Sequence, residues 1–158
     1  MKAGIVALGM LALAGAAQGA AMNGVSEQLA VAAGGGKVMV TLKVHNASAA
    51  SVFVPKAVYE GKQLFGRVFS ITEQGSGAPV DYAGPMVKRG PLTRADYVKV
   101  APGATRSNTI DITASYAFPH GTHTYQIGYE GAYLHSLAKL DAPVTQATAP
   151  ITFTYTAP

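Results

Sequence analysis

Apolar and polar residues alternate along most of the chain, which is the pattern of β-strands that bury one face. The clearest alternation places aliphatic residues at Val38, Val40, Leu42 and Val44. Comparable alternation is found in residues 105–113, 122–129 and 151–155. Helical periodicity is nearly absent after the N-terminal segment, so the pattern predicts an all-β fold.

Shorter apolar runs supply the remaining strands. They lie at residues 29–33, 51–55, 66–72, 78–82 and 98–100, with 78–82 as the hairpin partner of 66–72. Turn signals rich in Gly, Pro and Asn recur about every 8 to 14 residues, a spacing typical of a sandwich. The predicted fold class is therefore an all-β, immunoglobulin-like antiparallel β-sandwich of about 7 to 9 strands. Residues 138–149 are interpreted as a loop before the last strand, because they are rich in Ala, Thr and Pro.

Tyr125 stands near the start of a late strand, where many sandwiches of this type carry a tyrosine corner. In that arrangement the tyrosine hydroxyl is bonded to the backbone. An ordinary core or surface tyrosine is the alternative, and the sequence leaves both open.

The N-terminus has the pattern of a secretory signal peptide. Lys2 precedes a small-residue apolar run at residues 5–17, and Ala17-Gln18-Gly19 fits the cleavage rule. A transmembrane helix needs about 20 apolar residues, so an uncleaved anchor is the weaker alternative. We predict that residues 1–19 are a cleaved signal peptide and that residues 20–158 form a single Ig-like domain. The mature chain, beginning near Ala20 or Met22, is expected to be periplasmic or extracellular, without membrane insertion.

Composition narrows the chemistry that the domain can perform. The chain has no cysteine, which excludes a thiol nucleophile, zinc–thiolate sites and iron–sulfur clusters. Its net charge is only +4, with 13% charged residues, so a nucleic-acid-binding surface is not expected. The local excess of basic residues is interpreted as a solvated surface or a charged docking site: Lys88, Arg89, Arg94, Lys99 and Arg106.

No pattern of catalytic residues is recognisable. The chain contains neither HExxH nor GxSxG, and the aspartates have no sequence-visible partner. His120 and His123 are three residues apart, but Pro119 and Gly121 favour a turn that would not preorganise them. A copper or zinc site at these histidines with a third ligand is kept as an alternative. We predict no enzyme activity, no cofactor and no metal.

The most unusual segment is VDYAGPMVKRGPLTRADYVKVAPG, residues 80–103. It is dense in Gly, Pro and polar residues around a short apolar stretch. Long ordered loops often carry recognition. The alternative is a structural crossover between the sheets that is held by Tyr82 and Tyr97.

The same segment carries a resemblance to a known family. The string at residues 80–89, then Thr93, residues 95–97 and residues 101–103, resembles the N-terminal, non-catalytic β domain of aspzincin metalloendopeptidases such as deuterolysin and the peptidyl-Lys metalloendopeptidases. Less specific similarity extends the match to roughly residues 38–129. The sequence departs from the family's pattern in having no HExxH motif, so we expect a counterpart of the pro-domain without its enzyme.

The resemblance implies a non-catalytic domain that binds a secreted zinc metalloprotease in trans. Inhibition, assistance in folding and protection of the secreting cell remain open within that class. The residues expected to contact the partner are Tyr82, Gly84, Pro85, Met86, Lys88, Arg89, Thr93, Asp96 and Tyr97. The main alternative is a structural, adhesive or ligand-binding Ig-like module of the cell envelope, because a sandwich fold does not fix function.

Overall fold

The three-dimensional structure is a computed structural model, and it describes residues 12–18, 21 and 23–158. Antiparallel strands dominate the described residues, so the predicted all-β class and sandwich are confirmed. The elements in chain order are β1 (Ala12–Gln18), β2 (Val25–Gly34), β3 (Lys37–Asn46), β4 (Val52–Pro55), α1 (Lys56–Tyr59), β5 (Phe69–Glu73), a 3₁₀ turn (Arg94–Asp96), β6 (Tyr97–Val100), β7 (Thr105–Asp111), β8 (Gly121–Tyr133), β9 (Val144–Ala147) and β10 (Ile151–Ala157).

Two larger sheets and a small one organise these strands. The first has the order β1-β2-β3-β7, and the second has the order β10-β8-β5, with β9 added at the C-terminal part of β8. Strands β4 and β6 form a two-stranded sheet that a bridge between Phe53 and Leu134 connects to β8. The register sets buried residues opposite each other, as in the pair Leu29 and Leu42 and the pair Phe153 and Tyr125.

The core lies between the inward faces that the alternation predicted. The aliphatic positions of β3 are almost completely buried: Val38, Val40, Leu42 and Val44. The second sheet contributes aromatic rings to the core, and Phe118, from the segment before β8, packs edge-on against Tyr125 and Tyr155 with ring centroids 5.2 Å apart in each pair. Burial of such rings supplies much of the stabilisation of a sandwich that has no disulfide.

Asn46 closes β3 and connects it to the neighbouring turns. Its amide nitrogen donates to the carbonyls of Ala50 at 2.8 Å and Val100 at 3.0 Å, and its side-chain oxygen accepts from the backbone of Ser48. The side chain is completely buried, so these bonds replace the water that it would otherwise keep. The Asn turn therefore holds the end of β3 against the end of β6.

Several expectations at the level of single elements need correction. Residues 138–149 are not only a loop, because they contain β9, whose four residues are too few to give a clear alternation. Residues 78–82 do not form a regular hairpin strand. They are held to β5 by an isolated bridge between Thr72 and Pro79 and by a bond from the Val80 amide to the Ile71 carbonyl.

Of the two interpretations left open for Tyr125, the structure supports an ordinary core tyrosine rather than a tyrosine corner. Tyr125 is buried, and its hydroxyl has no hydrogen-bond partner among the described residues. The hydroxyl of Tyr116, just before β8, instead accepts from the Phe69 amide and donates to the Phe69 carbonyl, both at 2.9 Å. Tyr116 therefore ties the chain before β8 to the first residue of β5.

Part of the predicted signal peptide falls within the described residues. Residues 12–18 form β1, which pairs with β2. The expected start of the mature chain, near Ala20 or Met22, lies outside the described residues. No helix in the described part of the chain is long and apolar enough to cross a membrane.

Candidate functional site

The loop formed by residues 80–97, called here the recognition loop, leaves the sheets after β5 and returns at β6. Its first anchor is the hydroxyl of Tyr82. This oxygen accepts a bond from the Gly66 amide at 3.0 Å and lies 2.8 Å from the Pro85 carbonyl and 3.1 Å from the Leu64 carbonyl. One half-buried side chain thereby connects the loop to the segment before β5.

Backbone bonds fix the same end of the loop against the chain before β8. The amides of Ala83 and Gly84 both donate to the Ser115 carbonyl, and the Ala117 amide donates to the Asp81 carbonyl. Arg67 adds an exposed ion pair with Asp81, with 3.7 Å between nitrogen and oxygen. The rings of Tyr82 and Tyr116 pack edge-on, with centroids 5.5 Å apart.

Near the other end of the loop, a capping box fixes the local backbone around the 3₁₀ turn. The Asp96 carboxylate accepts bonds from the backbone amide and the hydroxyl of Thr93, at 2.7 and 2.9 Å. The bond from the Thr93 backbone is the main reason why the pKa of Asp96 is lowered, with the hydroxyl, Arg89 and Lys56 adding to the effect. Tyr97 is buried where the loop joins β6.

Between the two anchors, residues 85–95 are all exposed. Apolar side chains here have no core to enter. The exposed large apolar side chains of the described residues lie in the loop or beside it, and we call them the apolar tip: Phe65, Met86, Val87 and Leu92. Met86 is 81% exposed. Exposed apolar side chains that lie together on the surface of a soluble monomer often mark an interaction site.

The apolar tip is concave on one side and basic at its border. A depression of about 450 Å³ is lined by Phe65, Val87 and Leu92, with Arg89, Gly90, Pro91 and Asp96 completing the wall. Lys88 and Arg89 are exposed beside these residues. The arrangement combines an apolar centre with cations at its edge, which suits a partner with apolar contacts and acidic neighbours.

The site residues predicted from the sequence divide into two groups. Tyr82, Gly84 and Tyr97 belong to the base, since the first and last anchor the loop and a Cβ on Gly84 would collide with the ring of Tyr82. Asp96 also serves the base through its capping bonds. The exposed members of the predicted set are Pro85, Met86, Lys88, Arg89 and Thr93.

Three members of the apolar tip were missing from the sequence-based set. Val87 and Leu92 lie inside the predicted loop, but their exposure could not be known from a segment without periodicity. Phe65 stands before β5, and the Tyr82 bond to Gly66 brings it to the loop. A large apolar residue among Gly and Pro residues was the available signal for all three.

The histidines do not converge on a common point. Nε2 of His123 lies 3.0 Å from the backbone carbonyl of His120, and Nδ1 of His123 lies 3.8 Å from the Glu73 carboxylate. Among the residues that the structure describes, no group of three or more His, Asp or Glu side chains could hold a metal ion.

A second surface feature is an open groove on the sheet that contains β5 and β8. It has a volume of about 420 Å³, and its polar lining residues are Arg67, Ser70, Glu130 and Thr148. Gly128 lies in its floor. The groove is separate from the concave side of the apolar tip, although Arg67 borders both the groove and the base of the recognition loop.

A buried carboxyl group lies outside both surfaces. Glu27 of β2 is completely buried; one carboxylate oxygen accepts a bond from the Tyr59 hydroxyl at 2.5 Å, and the other has no hydrogen-bond partner among the residues that the structure describes. Burial raises the pKa of Glu27, and the bond from Tyr59 offsets only part of that effect. A fully buried group cannot contact a substrate in this structure, so it belongs to the core.

Comparison with known proteins adds no relative, since neither a protein-family model nor a curated protein matches the sequence. The resemblance to the aspzincin N-terminal domain therefore remains a prediction.

Proposed function

We propose that this protein is an exported, non-catalytic binding protein that uses its recognition loop to hold a secreted zinc metalloprotease of the aspzincin type. The observation that carries the proposal is the apolar tip on a fixed base. The same loop carries the most specific part of the resemblance to the family's pro-domain, the GPxVKRG…T.ADY string of residues 84–97. Two independent properties of one loop, its surface and its sequence, thus support the same role.

The physical basis of binding is preorganisation. Tyr82 and the Thr93–Asp96 capping box hold the ends of the loop, so little conformational entropy is lost when the tip meets a partner. Met86, Val87 and Leu92 supply apolar contact area, which is where most of the binding energy of an interface is concentrated. Lys88 and Arg89 would pair with acidic residues around the partner's cleft and orient the encounter.

The test uses the mature chain, beginning near Ala20, and a purified aspzincin-type protease from the same organism. We expect saturable inhibition of peptide hydrolysis at micromolar or lower concentrations and a complex in gel filtration. A folding assistant would instead raise the yield of active protease when the denatured enzyme is refolded with the mature chain. Absence of inhibition, of refolding assistance and of a complex would overturn the proposal.

A pair of variants assigns the interaction to the loop. Val87→Asp combined with Leu92→Asp places charges in the apolar tip, and loss of such central contacts costs about 2 kcal/mol or more, which is about 30-fold in affinity. The control is Ala142→Asp combined with Ala149→Asp, which makes the same change in net charge at exposed positions elsewhere. Equal binding by both variants would move the site away from the recognition loop.

The open groove beside β5 and β8 favours a second candidate, a ligand-binding module of the cell envelope. Its mixed lining of Arg67, Ser70, Glu130 and Thr148 suits a small polar ligand such as a sugar. Envelope oligosaccharides should then raise the midpoint of thermal unfolding of the wild type and leave that of Ser70→Trp unchanged. No shift with any oligosaccharide would remove this candidate.

A further inference from the structure

Strand β2 is ten residues long, and in this structure β1 covers the outer edge of its residues 28–33. The two strands are antiparallel, with Ala16 opposite Ala30 and Ala17 opposite Leu29, and the register shifts between Leu13 and Ala16. Strand β1 lies entirely within residues 1–19, the predicted signal peptide. Removal of that segment would leave the backbone groups of this edge without their partners, a state that favours addition of another strand.

Other sheet edges are covered by parts of the mature chain. At β7, the Asn108 amide donates to the carbonyls of Val58 and Gly61, each at 2.7 Å, and Arg106 pairs with Glu60 at 2.9 Å. The segment containing α1 therefore lies against this edge. Its polar contacts make addition of a further strand unfavourable.

The second sheet has protection of two kinds. Strand β5 is followed by a segment whose backbone bonds to it, from the Val80 amide to the Ile71 carbonyl and from the Glu73 amide to the Ala78 carbonyl. Strand β10 is flanked by Pro150 and Pro158, which cannot extend a ladder of hydrogen bonds.

Strand β2 has no comparable protection of its own. It contains no proline, and its one charged residue, Glu27, points into the core rather than to the surface. Its other face carries small or uncharged residues: Ser26, Gln28, Ala30 and Ala32. Natural edge strands usually carry lysine, proline or a bulge at such positions, and their absence marks an edge that is suited to pairing.

We propose that removal of residues 1–19 uncovers this edge and that a second copy of the mature chain pairs its own β2 there, in an antiparallel, two-fold dimer. The inference depends on the proposed signal cleavage and is independent of the protease partner. The direction of β1 shows that an antiparallel strand fits this edge. We assign the pairing strand to β2 of a second copy, because a two-fold axis pairs two identical strands in the antiparallel direction and uses the same surface of both copies.

The two-fold axis would pass near Ala30. In that register Leu29 faces Val31 on the core side, and Gln28 faces Ala32 on the outer side. No charged residue then lies opposite a like charge. Ala30 faces its own copy, so this position reports directly on the pairing.

The experiment compares the mature chain from Ala20 with the full chain that retains residues 12–18. The described core begins at Val25, so the mature chain keeps it complete. We expect the mature chain to sediment as a dimer and the full chain as a monomer in analytical ultracentrifugation. A mature chain that remains monomeric at high micromolar concentration would overturn the inference.

Charge variants at Ala30 test the register. Ala30→Lys and Ala30→Glu each place like charges directly across the axis, so each mature variant should be monomeric, whereas an equimolar mixture should recover the dimer. Thr109→Lys, at an exposed position on the opposite edge strand, is the matched control and should remain dimeric. Thermal unfolding confirms that each variant is folded. A dimer of Ala30→Lys alone would overturn the assignment to β2, and a monomeric mixture would overturn the register.

Discussion

At the scale of single residues, the buried carboxyl of Glu27 is the least expected feature of the core. It stands on the inward face of β2, where one oxygen is bonded by Tyr59 and the other has no hydrogen-bond partner in the described part of the chain. Burial raises the pKa of the neighbouring hydroxyl of Tyr59, and the nearby Glu27 carboxylate raises it further. Ionisation of the Glu27 carboxyl in the folded protein is therefore costly. The free energy of unfolding should depend on pH through Glu27.

We predict that Glu27→Gln removes a stability component that decreases with rising pH. The pKa of Glu27 is raised in the folded state, so its contribution is complete below the unfolded-state pKa and is lost as the pH rises through the folded-state pKa. The free energy of unfolding of the variant, relative to wild type, should therefore increase from acidic to neutral pH. Urea denaturation at a series of pH values measures the difference.

The difference in free energy of unfolding between wild type and Glu27→Gln isolates the contribution of the Glu27 carboxyl. The pKa values of Glu73, Asp96 and Asp111 are lowered, so their contributions have the opposite sign, being present above their unfolded-state pKa values and lost at low pH. They titrate in both proteins and cancel in the difference. Parallel pH profiles for wild type and variant would contradict the prediction.

Gly131 is required because it faces Glu27. A Cβ at this position of β8 would overlap the carboxyl group of Glu27, which is completely buried. We expect Gly131→Ala to lower the free energy of unfolding by about 1–3 kcal/mol, the usual cost of overpacking. Gly128→Ala, on the same strand with nothing within 4 Å, should remain within about 0.5 kcal/mol of wild type. Chemical denaturation measures the free energies of unfolding of the two variants. Equal values would contradict the role of Gly131.

At the scale of elements, the recognition loop depends on a few anchors rather than on regular structure. Tyr82 contributes a single oxygen that meets Gly66, Leu64 and Pro85. The resemblance pointed to this residue as a partner contact, but its hydroxyl is committed to the loop itself. The hydrogen bonds at the base of the loop restrict the conformations of the apolar tip. They would therefore reduce the conformational entropy that the loop loses in the proposed complex.

We predict that Tyr82→Phe loosens the tip while changing global stability little. Loss of one hydrogen bond lowers the free energy of local opening by about 1 kcal/mol, which raises the opened population about fivefold. Trypsin cleavage after Lys88 and Arg89 should accelerate by a similar factor. Tyr155→Phe removes a hydroxyl bonded to the Gly36 carbonyl, away from the loop, and is the matched control. Equal cleavage rates for the two variants would contradict the anchoring role.

At the scale of the whole molecule, charge matters through its position. The net charge of +4 is small, so long-range attraction depends on where the cations lie. Lys88 and Arg89 stand at the border of the apolar tip, on a loop that projects between its two anchors. In the proposed complex they would guide an approaching acidic surface, whereas exposed charges of this kind add little to the stability of the fold.

We predict that alanine at both Lys88 and Arg89 slows association with the protease several-fold and reduces the dependence of the association rate on salt. Exposed charges act mainly on the rate of encounter and are screened by ions. Stopped-flow or surface-binding kinetics at several ionic strengths measure both effects. Alanine at Lys43 and Lys139, both exposed, makes the same change in net charge and should have a much smaller effect.

The sequence by itself determined the class of fold, because alternation in strands such as β3 and β10 encodes which face is buried. It also located the recognition loop, where Gly and Pro interrupt that periodicity. The sequence could not predict β9, because four residues carry too little pattern. It also could not predict the hydrogen bonds between the Tyr116 hydroxyl and Phe69, because these residues meet only in the folded chain.

The tertiary structure alone decided what the loop presents. The alignment of Phe65 with Val87 and Leu92, and the burial of Tyr97, depend on contacts between segments far apart in the chain. The burial of Glu27 also depends on a distant segment, since β8 packs over its side chain through Gly131. Local pattern fixes which residues turn inward, whereas the partner that each residue meets is set by how the sheets stack.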